Sequence, residues 1–96
     1  MSVYALNYVY GGPQDILTEH RPAHRAFLRE LHERGVVIAS GPLEGDAALI
    51  VLRADSAEEI ERIIAEDPLV VHGVVTEHTI REWTVTIGSV GSDISA

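Results

Sequence analysis

Apolar side chains crowd residues 3–10, "VYALNYVY", then recur at intervals of three and four from His24 to Leu31. The exchange between these two rhythms divides the chain into predicted elements. The first run is rich in β-branched and aromatic residues and stops at the breaker Gly11-Gly12-Pro13, which predicts a strand over residues 3–10. Pro22, whose missing N–H suits a first helical turn, and Gly35, a suitable C-terminal cap, bound a predicted helix entered through a loop at residues 13–19. "VVIASGP" (36–42) and "AALIVLRA" (47–54) read as two further strands joined by the turn "LEGD". In "SAEEIERIIAED", Ser56 and Glu59 form a capping box, and Ile60, Ile63 and Ile64 supply the apolar stripe of a second helix that Pro68 limits. "PLVVHGVV" predicts a turn or helical cap, and "TEHTIREWTVTIG" (76–88) a long fourth strand. The remaining "SVGSDISA" has no period, so the prediction is a single domain over residues 1–88 with a flexible tail at 89–96.

The predicted order is β-α-β-β-α-β, the split βαβ of ferredoxin-like α+β folds: a four-stranded antiparallel sheet with two helices on one face. The first strand is apolar on both parities, with Val3, Ala5 and Val9 on one side and Tyr4, Leu6, Tyr8 and Tyr10 on the other, and "ALIVL" behaves alike. A sheet with two apolar faces requires two covers, and the helices supply one. The expected second cover is another copy of the chain, packed face to face as a twofold homodimer.

Composition narrows the range of functions. The chain has 96 residues, 46% of them hydrophobic, which suits one folded domain. With 7 basic against 15 acidic side chains, a net charge of −8 and no basic cluster, neither nucleic acid nor an anionic membrane surface is an expected partner. There is no cysteine, hence no disulfide framework or thiolate metal site. The start "MSVYALNYVYGG" lacks a basic leader and no apolar run reaches about 18 residues, so the expected location is the cytoplasm.

One ionisable residue sits where packing alone favours an aliphatic one. His24 shares its helical face with Phe27, Leu28 and Leu31. A lone histidine on such a face is more often structural than reactive, but a carboxylate partner orients the ring and raises its basicity. Asp67, in "EDPLV", is the best candidate; read as the end of the second helix, it sits where an acid is electrostatically unhelpful. Arg21 near the start of the first helix gains nothing from the dipole and suits a substrate carboxylate. Ser40, in "SGP", and the phenols of Tyr8 and Tyr10 are further candidate donors, Tyr8 being the one assigned to substrate. His20 and His24 form an HxxxH pair without an evident third ligand, so no metal is expected, and His32, His72 and His78 read as exposed polar residues. No glycine-rich phosphate loop or nucleophile elbow is present.

Taken in order, "RPAH", "GVVIASGPL", "DSAEEIERIIAEDPLVVHGV" and the final "REW" resemble the YCII-related domain family of the dimeric α+β barrel superfamily. The resemblance implies a histidine in the RPAH-like motif paired with the aspartate of the DP motif, here His24 and Asp67. It also suggests kinship with muconolactone isomerases and chlorohydroxymuconate dehydrochlorinases, which act by proton transfer. The expected function is a cofactor-independent lyase or isomerase acting on a small carboxylated, muconate- or lactone-like metabolite. The alternative is a non-catalytic ligand-binding or regulatory module on the same barrel. A cofactorless monooxygenase is disfavoured by an aromatic share of 5%, poor material for a quinone-sized pocket.

Overall fold

A computed structural model describes residues 1–88. The tail predicted at 89–96 lies outside the described residues. Four strands, β1 (Ser2–Tyr10), β2 (Val37–Leu43), β3 (Ala47–Ala54) and β4 (Val75–Glu82), form one antiparallel sheet in the order β2-β3-β1-β4. Three helices, α1 (Gln14–Glu33), α2 (Ala57–Ile64) and the single turn α3 (Pro68–Val71), complete the ferredoxin-like α+β arrangement, one short helix more than expected.

The core follows the period of the strands. Tyr4, Leu6 and Tyr8 of β1 join Ala48, Ile50, Leu52 and Ala54 of β3 against Leu28 and Leu31 of α1 and Ile60 and Ile64 of α2. The opposite parity of the same strands, Ala5, Asn7 and Val9 beside Leu49 and Val51, faces away from the helices. On that face Val9 and Trp83 are each about two-fifths exposed. Trp83 borders it together with Ala5, Asn7, Leu49 and Arg81, whereas Ile87 is exposed.

Two predicted boundaries move, each for a local reason. Helix α1 begins at Gln14 and carries Pro22 inside it, replacing the loop expected at residues 13–19. Extended Pro13 stands at its N-cap, and the added turns bury Leu17 against Leu69 and Val74. That burial offsets the helical hydrogen bond that Pro22 cannot donate. Strand β4 stops at Glu82 rather than Gly88 because β1 runs out: Glu82 is opposite Tyr4, and Trp83 N–H donates to the Val3 carbonyl at the strand's beginning.

Helix α1 ends as predicted at Gly35, in a Schellman motif. Gly35 takes φ +79°, Val36 N–H donates to the Leu31 carbonyl and Gly35 N–H to the His32 carbonyl. The same motif closes α3: Gly73 takes φ +73°, and Val74 N–H returns to Leu69. This places the apolar pair Leu69 and Val74 together in the small core under α1. A helix of four residues persists because both of its ends are capped.

Candidate functional site

Residue 67 lies two residues beyond the C-cap of α2, Ala65, and its local role is the reverse of the expected one. Asp67 is the N-cap of α3 rather than the end of α2. Pro68, at the first helical position, leaves it extended, and its carboxylate accepts the Leu69 N–H at 3.0 Å. The acid is therefore on the favourable end of a helix. It is also fully buried.

Two side chains meet this carboxylate from other elements. Tyr8, directed by the pleat of β1 to the helical side, donates its hydroxyl to Oδ2 at 2.8 Å. His24, on the inner face of α1, brings Nδ1 to 2.8 Å from Oδ1 and 2.9 Å from Oδ2. Burial first, and then the Asp67 charge, push the Tyr8 phenol far above its ordinary value, so it stays a protonated donor. An ionised carboxylate only accepts, which assigns the proton between His24 and Asp67 to Nδ1. In the neutral ring Nε2, on the opposite edge, then carries the lone pair. His24 is 7% exposed, enough to form part of a cleft wall.

That cleft, about 280 Å³, lies between α1 and the β2–β3 hairpin. Arg21, Arg25 and Tyr10 supply its polar wall beside His24, Ser40 stands at the β2 side, and Leu28, Pro42, Ala48 and Ile50 line the rest. Burial and the Asp67 charge raise the half-buried Tyr10 phenol, while Arg21 pulls it partly back. The structure thus brings His24 to Asp67 and places Arg21 and Ser40 on the cleft. Tyr8 differs from its expected position: its hydroxyl is committed to Asp67 instead of the cleft, and Tyr10 takes the cleft position. Both tyrosines share a parity, which says nothing of depth. Arg25, not singled out from the sequence, was signalled by standing four residues after Arg21.

The other histidines find separate partners. His20 does not join His24; its ring stacks on His72, with centroids 3.6 Å apart and an interplanar angle of 7°. His32 Nδ1 donates to the Val37 carbonyl, and His78 contacts Glu61 at 2.7 Å. Among the described residues, no group of three His, Asp or Glu side chains is arranged to hold a metal ion, and no helix is long and apolar enough to cross a membrane.

The sequence profile of the YCII-related domain matches residues 1–84. No curated protein matches the chain. Among solved structures, the chain is similar to 5-chloro-2-hydroxyhydroquinone dehydrochlorinase from Burkholderia phenoliruptrix AC1100, determined in complex with 2,5-dihydroxybenzoquinone. The TM-score is 0.72 at 19% identity, covering 84% of this chain and 93% of that one. An antibiotic biosynthesis monooxygenase gives a TM-score of 0.55 at 7% identity, covering 91% of this chain and 100% of the other. At these identities the two structures establish a shared fold.

Proposed function

Because the chain belongs to the YCII-related domain family, we propose that His24 and Asp67 are the proton-transfer residues of a cofactor-independent lyase or isomerase. The substrate is a small carboxylated metabolite of muconate or lactone type. The observation that carries this reading is a fully buried carboxylate holding one nitrogen of an imidazole that itself lines a cleft. In this mechanism Nε2 takes a proton from a carbon next to a carbonyl. The electron pair of the broken C–H bond forms a new double bond, and the imidazolium rests against the Asp67 carboxylate. Return of the proton to another carbon completes an isomerisation; departure of a leaving group with its electron pair completes an elimination. Arg21 pairs with the substrate carboxylate, and Ser40 and Tyr10 donate to a developing oxyanion. Tyr8 serves the reaction from behind, by holding Asp67. The structural relative named as a dehydrochlorinase supports the elimination branch by analogy of fold.

The assembly proposed is a homodimer formed through the open sheet face, in the cytoplasm, where the lack of cysteine is no handicap.

Turnover of unsaturated lactones and halogenated muconates by the purified protein tests the proposal. Base catalysis of this kind contributes about 10²–10⁴-fold, so His24→Ala is expected to lose that much. Equal turnover in the variant removes His24 from the mechanism. Saturable binding with no turnover in the native protein overturns the enzyme in favour of a ligand-binding module.

A further inference from the structure

Arg21, Arg25 and Arg29 follow one another at intervals of four, so they form a row along a single face of α1. The row borders more than the cleft at His24. A second groove, about 410 Å³, is lined by Arg25, Arg29 and His32 from α1 and by Val37 to Ser40 from β2. Arg25, Leu28 and Ser40 belong to both, so the two run together as one trough between helix and strand. Among the described residues, no carboxylate lies within ion-pair distance of Arg21, Arg25 or Arg29. In a chain with 15 acidic and 7 basic side chains, gathering three arginines along one trough without acidic partners calls for an anion from outside. At the far end the ring of His32 donates Nδ1–H to the Val37 carbonyl, so Nε2 donates to an anion beside Arg29 in the imidazolium form alone.

We infer that the trough binds an elongated dianion: one anionic group at Arg21 beside His24, and a second at Arg29 and His32, with Arg25 between them. Arg21 and Arg29 are separated by about 12 Å along the helix axis, an outer limit on the spacing of the ligand's two anionic groups. The distal group is a carboxylate or a phosphoryl-type group, either of which a guanidinium fork accepts. Placement of the reacting carbon at the Arg21 end rests on the proton-transfer reading of His24; the distal subsite does not.

Calorimetric binding of adipate, hexanoate and succinate to the native protein and to Arg29→Gln tests the subsite. Adipate is expected to bind at least tenfold more tightly than hexanoate and than the shorter succinate. Arg29→Gln should erase that advantage and leave hexanoate unchanged, while Arg62→Gln, a charge removed from α2, should leave every affinity unchanged. Equal binding of adipate, 6-phosphonohexanoate and hexanoate, or an equal loss for all three in Arg29→Gln, overturns the inference. 6-Phosphonohexanoate in place of adipate identifies the distal group, and an Arg29-dependent gain with either ligand supports the subsite. The readout separates the two readings. A His24→Gln protein that keeps the adipate preference but loses turnover supports both. One that keeps the preference and full turnover overturns only the proton-transfer role.

Discussion

Asp67 accepts from Leu69 N–H, Tyr8 O–H and His24 Nδ1, and a buried acid so placed joins three elements at one point. Each buried donor left without a partner costs about 1–3 kcal/mol, so Asp67→Ala is expected to destabilise the fold by at least about 3 kcal/mol in urea denaturation. Asp67→Asn is milder but alters the histidine: ¹⁵N spectra at neutral pH should show His24 protonated on Nδ1 in the native protein and a mixture of tautomers in the variant. The raised Tyr8 phenol has its own signature. An unfolded chain loses tyrosine protons near pH 10 while Tyr8 keeps its proton in the fold, so above that pH the unfolded state binds fewer protons. Stability is therefore intact below about pH 10 and falls above it, by up to about 1.4 kcal/mol per pH unit for one such group. Denaturation midpoints between pH 9 and 11.5 should decline less steeply in Tyr8→Phe. At this scale the sequence exposed His24 through its misfit in an apolar stripe, and Asp67 through its place before a proline. It concealed which tyrosine reaches the cleft, because depth is set by the helix packed above and not by strand parity.

The elements were legible wherever period and caps agree, as in β1, β3 and α2 with its Ser56 cap. They were obscured where tertiary burial overrides a local signal. Pro22 marks a helix start by every local rule, yet Leu17 holds the preceding turn in place. The Thr18 carbonyl has no helical donor at Pro22, and the Thr18 hydroxyl bonds back to the Gln14 carbonyl. Pro22→Ala restores that donor and is expected to stabilise the protein by about 1–3 kcal/mol, read from the shift of the urea midpoint. A lower midpoint would show that the proline fits its site better than a regular helical turn does. The α3 turn was equally hard to foresee. Four residues have no helical stability of their own, and only the Asp67 cap and the Gly73 motif, closed over buried Leu69, maintain them.

For the whole molecule, the helix-free side of the sheet bears Leu43, Val9 and Trp83 exposed, with Leu49 and Val51 between them. If a second copy covers this side, Leu49→Glu is expected to convert a dimer to a monomer in sedimentation, with the circular dichroism of the fold unchanged. A native protein that sediments as a monomer refutes the dimer. Strand β1 serves both sides at once: its even-numbered residues reach the acid and the core, and its odd-numbered ones the helix-free side. Insertion or deletion of a single amino acid within it would therefore exchange inside for outside along the remainder of the strand, stripping the acid of its phenol and planting aromatic rings on the helix-free side. The length of that segment is thus a stricter inheritance than the identity of most of its letters, and divergence in this lineage should proceed by replacement there, never by a frame of one.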